Sequence, residues 1–137
     1  MYIDITNEND IIQQLEDELE RVKTMHIDLN KIEYTIEWLP EYIPVRGNAI
    51  DSGIDDFDTE VENDIIQQLE DGNEWAWCTV KVTAKFPGLD IKGVDYLGGC
   101  SYDSEEDFKK NGYFEDMKLT AQEDLLSQLE VIYAICG

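Results

Sequence analysis

Thirty-two Asp and Glu stand against ten Lys and Arg, and the resulting formal net charge of -22 constrains this chain more than any motif does. Folding crowds carboxylates together, so a compact state carries a self-repulsion that salt or a basic partner relieves. Two outcomes fit such charge: an acidic disordered chain, or a folded frame that displays it. Disordered acidic chains are poor in aromatic residues, whereas this one has three Trp, seven Tyr and four Phe, spread from Tyr2 to Tyr133, within a 42% apolar composition. A folded chain is therefore expected, and 137 residues fit one domain, residues 1–137, with a core that needs no metal or disulfide staple.

Two hydrophobic periods alternate along the chain. Ile11, Ile12, Leu15, Leu19 and Val22 recur at helical spacing from Glu8 to about Met25, with Thr6 or Asn7 placed to cap the first turn. Ile32, Tyr34, Ile36 and Trp38 then alternate with Glu33, Thr35 and Glu37, the pattern of a half-buried strand that Pro40 and Pro44 limit. Residues Gly47 to Thr59 have the composition of a connection, and a second helix is expected on Val61, Ile65, Ile66 and Leu69, ending at Gly72. A longer strand is expected over Trp75 to Phe86, with Ala76, Cys78, Val80, Val82, Ala84 and Phe86 on one face and Trp75, Trp77, Thr79, Lys81, Thr83 and Lys85 on the other. Pro87 to Asp90 form a turn into a strand at Ile91 to Tyr102, where Gly98 and Gly99 mark a bulge or a close backbone approach. Ser101 or Ser104 caps an acidic helical turn, and a final helix from near Tyr113 buries Phe114, Met117, Ala121, Leu125, Leu129 and Ile132. The expected fold is α+β, a mostly antiparallel three-stranded sheet packed with about three helices.

Catalytic and metal signatures are sparse. His26 is the only histidine and is read as structural, because a catalytic imidazole needs an orienting partner. Cys78, Cys100 and Cys136 lack metal-ligand spacing and are read as small apolar fillers in a reducing compartment. Asp51, Gly53, Asp55 and Glu62 fall at calcium-loop offsets, but Asp56 stands where the loop requires glycine and Gly53 has no side-chain oxygen. No cofactor or metal is expected. The enzymatic alternative rests on a carboxylate pair among Asp95, Asp103 and Glu106 beside Tyr96 and Tyr102, whose residue types permit acid and base chemistry. The acidic start at Met1 and the lack of a long apolar run point away from secretion and membrane insertion and toward the cytoplasm.

The strongest functional feature is extended. No Lys or Arg occurs from Gly47 through Val80, while Asp51, Asp55, Asp56, Asp58, Glu60, Glu62, Asp64, Glu70, Asp71 and Glu74 supply ten acids. Such a surface repels nucleic acid and attracts a basic protein groove. Part of it is a repeat: ENDIIQQLED, Glu62 to Asp71, duplicates Glu8 to Asp17 letter for letter. Two copies are too few for a solenoid, so the repeat reads either as reuse of an amphipathic helix or as two equivalent acidic surfaces. Trp75 and Trp77, just after the last of these acids, read either as exposed aromatic anchors for a partner or as part of a second core.

By its size, charge and acid-rich helices the chain resembles acidic DNA-mimic inhibitors of phage or mobile-element origin, the anti-restriction and anti-CRISPR type. The resemblance implies a protein-binding inhibitor that occupies the DNA groove of a basic nucleic-acid-binding host protein, such as a restriction or CRISPR effector, in the host cytoplasm. An acidic regulatory or structural interaction module without DNA mimicry uses the same long-range electrostatics and stays open beside it.

Overall fold

The computed structural model describes residues 28–136, together with Ile12, Gln13 and Glu16. The helix expected at Glu8 to Met25 otherwise lies outside the described residues, as does His26; the three residues described there are helical, and Ile12, expected on the buried stripe, is exposed. Three antiparallel strands, β1 (Glu33–Pro40), β2 (Cys78–Lys85) and β3 (Lys92–Cys100), form a sheet in the order β1-β2-β3. Helix α1 (Asp55–Glu70) is inserted between β1 and β2, and α2 (Glu105–Lys109) and α3 (Tyr113–Cys136) follow β3. The fold is α+β, as the two periods imply.

β2 is hydrogen-bonded on both sides, and Cys78, Val80, Val82 and Ala84 on its inner face are fully buried. Partners Tyr34↔Ala84 and Ile36↔Val82 place the β1 stripe on the same face. The β2–β3 turn has Pro87 and Gly88 as its central residues, with the Leu89 amide donating to the Phe86 carbonyl at 3.2 Å. Gly88 has a φ of 85°, the left-handed value a turn of this type needs at its third residue, while Pro87 pre-sets the second. Gly98 and Gly99 do form a bulge: the register passes from Val80↔Leu97 to Cys78↔Cys100, so two residues of β3 oppose one of β2.

The close backbone approach lies elsewhere, at Gly93. A Cβ there would sit 2.0 Å from the Ala121 carbonyl oxygen and 2.5 Å from the Leu125 nitrogen, so α3 rests directly on the β3 backbone. Met117, Ala121, Leu125 and Leu129, four residues apart, form the buried seam of α3, whereas Ile132, expected in that seam, is 39% exposed. Side chains of α3 also reach the strands: Asp124 accepts from the Val94 amide at 3.0 Å, Gln128 donates to the Lys92 carbonyl at 2.8 Å, and Gln122 accepts from the Tyr34 hydroxyl at 2.9 Å. Ser104 is the cap of α2, accepting from the Asp107 amide at 3.1 Å. That short helix delivers Phe108 into the core, edge-on to Tyr102 with ring centroids 5.0 Å apart.

Two boundaries differ from the sequence reading by three residues or more, each for a local reason. α1 begins at Asp55, inside the stretch read as a connection, because its first turn is held by polar groups rather than by buried apolar contacts. The Ser52 amide and hydroxyl both donate to the Asp58 carboxylate, and Asp55, Asp56 and Asp58 complement the positive end of the helix. β2 begins at Cys78 rather than Trp75, because a 3-10 turn at Glu74–Ala76 interrupts the alternation. The Asn73 side chain nucleates that turn by accepting from the Trp75 amide at 3.2 Å. Trp75 therefore joins the main core, while Ala76 and Trp77 join a second cluster with Val45 and Ile65.

Candidate functional site

α1 carries an apolar seam and a carboxylate face, and helical geometry separates them. Val61, Ile65, Ile66 and Leu69 pack into the second cluster. Asp56, Glu60, Asp64 and Asp71 follow one another at steps of four, four and seven residues, which places them on one face, and all four are exposed. Gln68 donates to Asp64 at 2.9 Å and Gln67 donates to Asp71 at 3.0 Å, so neutral donors one turn away orient two of these carboxylates without cancelling their charge. Asp51, Asp55, Glu70 and Glu74 are exposed as well.

Asp58 and Glu62, counted with these acids in the sequence, are structural. Asp58 is half-buried under its bonds to Ser52. Glu62 is 8% exposed: it accepts from the Gly47 amide at 2.6 Å and from Arg46 Nη1 at 3.4 Å, and Arg46 Nη2 also donates to Asn63 at 2.5 Å. The left-handed φ of Gly47, 80°, lies at the residue whose amide meets that carboxylate. Among the described residues, Glu62 is the one carboxylate of the Gly47 to Val80 interval that pairs with a cation, so the charge of the exposed eight is uncompensated nearby.

Trp75 and Trp77 do not serve as exposed anchors, being 9% and 8% exposed. The Trp77 indole N–H donates to the Ile43 carbonyl at 2.7 Å, which satisfies its polar atom inside the second cluster. The exposed apolar groups beside the acids are instead Ile54 and Phe57, 63% and 49% exposed. Phe57 precedes Glu60 by three residues and Val61 by four, so it sits between the carboxylate row and the buried seam. The sequence carries their spacing, but nothing in it distinguishes an apolar helix position that lacks a covering partner from one that has it.

Glu41, which no sequence pattern singles out, is a further structural carboxylate. It accepts from the Ile43 amide at 3.1 Å, the Gly99 amide at 2.7 Å and the Thr79 hydroxyl at 2.9 Å, tying the loop after β1 to β2 and to the bulge of β3. The Ile43 and Gly99 amides, in that order, hold its carboxyl below the usual glutamate range.

For the alternative chemistries, a surface cleft lies against Gly98, Gly99, Cys100, Tyr102 and Tyr113, and none of Asp95, Asp103 or Glu106 lines it. Tyr96 is exposed with the Lys81 ammonium over its ring at 5.8 Å. Of the calcium-loop positions, Asp51 lies in a loop, Asp55 opens α1 and Glu62 is taken by Arg46 and Gly47. Among the described residues, no three His, Cys, Asp or Glu side chains converge as metal ligands, and no helix is long and apolar enough to cross a membrane.

Comparison with known proteins finds no matching family model, no matching curated protein and no matching solved structure.

Proposed function

We propose that the exposed carboxylate face of α1 binds the basic nucleic-acid channel of another protein, a host defence nuclease or its DNA-recognition component, and keeps DNA out of it. The observation that carries this reading is the row Asp56, Glu60, Asp64 and Asp71, exposed on one helical face and without a cationic partner among the described residues. A helix rises about 1.5 Å per residue, so the row covers about 22 Å with successive gaps of about 6, 6 and 10 Å. One DNA strand presents a phosphate about every 3.4 Å along the axis, and the duplex one about every 1.7 Å. The row therefore offers a charge for about every second or third phosphate of a single strand, and Asp51, Asp55, Glu70 and Glu74 widen it. Because the acids are held on a folded helix, binding costs less ordering than a disordered acidic tail would require.

The test is a competition between this chain and DNA for the basic protein recovered from host extract. Mutual exclusion is expected, with an interface that maps to α1. The combined variant Asp56→Asn, Glu60→Gln, Asp64→Asn and Asp71→Asn should lower affinity at least tenfold while changing the unfolding midpoint little, since the loss of Asp56 at the positive end of α1 is offset by relief of self-repulsion. Simultaneous saturation by DNA and this chain, neither altering the other's affinity, would sink the reading.

A second reading, an acidic interaction module without DNA mimicry, is favoured by one observation. Exposed Ile54 and Phe57 suit a partner with an apolar pocket beside its basic groups, which a bare phosphate channel does not require. Under this reading Phe57→Ser weakens partner binding as much as the fourfold acid variant does. Under mimicry the acid variant has the larger effect.

A further inference from the structure

Two of the three cysteines face each other across the sheet. Cys78 and Cys100 are direct partners in the β2–β3 register, and both side chains belong to the main core cluster, so they project from the same face. Side chains directly opposed on antiparallel strands have Cβ atoms about 4.5–5.5 Å apart, against about 3.5–4.5 Å in a disulfide. About 1 Å of approach separates the two geometries. The flexible place to absorb it is next door: Gly98 and Gly99 form the bulge that leads into Cys100, and both are exposed.

The two thiols differ in access. Cys100 lines the cleft between the bulge and Tyr113, a cavity of about 360 Å³, and is 5% exposed, whereas Cys78 lies behind it and is fully buried. Cys100 donates its S–H to the Leu97 carbonyl at 3.3 Å. Burial pushes Cys78 up to about 12 and raises Cys100 as well, so both are protonated at neutral pH and oxidation runs slowly, through the small thiolate fraction of each.

We infer that Cys78 and Cys100 form an oxidisable pair, in which Cys100 meets a small two-electron oxidant such as hydrogen peroxide and Cys78 resolves it as an intrachain disulfide. In the first step the Cys100 sulfur attacks one peroxide oxygen, the O–O bond breaks, and a sulfenic acid and one water form. In the second the Cys78 sulfur displaces the sulfenic oxygen as a second water, with the two thiol protons ending in the waters. Two thiols and one peroxide thus give one disulfide and two waters. The product clamps β2 to the bulged end of β3 and leaves the carboxylate face of α1 untouched, so this inference stands independently of the proposed function.

The experiment uses the full chain with Cys136→Ser, leaving only the pair, and treats it with hydrogen peroxide before intact-mass measurement and thiol titration in denaturant. Both thiols should disappear together with a loss of about 2 Da, dithiothreitol should restore them, and one proteolytic peptide pair should link Cys78 to Cys100. The same peptide pair is sought in the wild-type chain, which removes any dependence on the substitution. In Cys78→Ser, Cys100 should instead gain oxygen and reach the sulfinic acid, about 32 Da heavier. Two thiols still titratable after peroxide would overturn the inference. So would sulfinic acid at Cys100 with Cys78 reduced in the two-cysteine chain, or a disulfide that joins separate chains.

Discussion

Replacing Glu62 by alanine removes one acceptor from two donors, and the cost can be built from its surroundings. The Gly47 amide meets the carboxylate at 2.6 Å on a side chain that is 10% exposed, and a hydrogen bond to a charged group of this kind is worth about 1.5–3 kcal/mol. The Arg46 contact adds little, about 0–1 kcal/mol, because the Arg46 side chain is 54% exposed and its charge is screened. Relief of self-repulsion in a chain of net charge -22 returns a few tenths of a kcal/mol. Glu62→Ala should therefore lose about 2–3 kcal/mol, and Glu62→Gln, which keeps an acceptor for Gly47, about 1 kcal/mol. Glu60→Ala is the control: it lies in the same helix and makes the same change in charge and propensity at an exposed position, so it should fall within about 0.5 kcal/mol of wild type. Urea unfolding at fixed salt, followed by the fluorescence of the buried Trp75 and Trp77, measures all three. Equal midpoints for Glu62→Ala and Glu60→Ala would refute the assignment of Glu62 to the frame and return it to the binding face.

Other expectations follow from the packing and the charge. Gly93→Ala places a methyl 2.0 Å from the Ala121 carbonyl and forces α3 off the sheet, so a loss of about 3 kcal/mol or more is expected in the same assay, and a variant as stable as wild type would contradict that seating. Glu41 has a lowered pKa in the fold, so its contribution is complete above the ordinary value of 4.5 and is given up as pH falls through the lower folded value. The stability of Glu41→Gln should therefore approach that of wild type as pH falls below about 4.5, and a difference that stays constant through the acid range would count against the role given to this carboxylate. Raising sodium chloride from about 0.01 to 0.15 M shortens the screening length from about 30 to 8 Å and should raise the melting temperature. A fall would show that attractive pairs, rather than repulsion, dominate the surface.

The elements whose period comes from their own residues were legible in the sequence. The main run of β2 and the Met117 to Leu129 seam of α3 bury apolar side chains at strand or helix spacing, β1 packs Tyr34 and Ile36 against the core at strand spacing although Trp38 is exposed, the Pro87–Gly88 turn carries its own conformational signal, and the α+β class follows from the alternation of periods. The start of α1 was not legible, because Asp58 and Ser52 stabilise it through polar contacts that leave no hydrophobic period. Asn73 likewise turns the chain before β2 and sends Trp75 and Trp77 into different clusters, although their spacing suggests a shared face.

The carboxylate surface divides in the same way. Composition determined that an acidic face would exist, since ten acids without a cation cannot all be buried or neutralised within their own segment. Which acids form it was decided by contacts between distant parts of the chain. Glu62 begins a decapeptide that the sequence uses twice, so nothing local marks it as inward-facing, and it turns inward because the loop after β1 brings Arg46 and the Gly47 amide against it. Gly98 and Gly99 are the glycines that the sequence singles out for a bulge or close approach, and only the path of α3 over β3 makes Gly93 the point of close approach. Periodicity and charge belong to the residues themselves, whereas a partner 15 or 30 residues away exists only once the chain has folded.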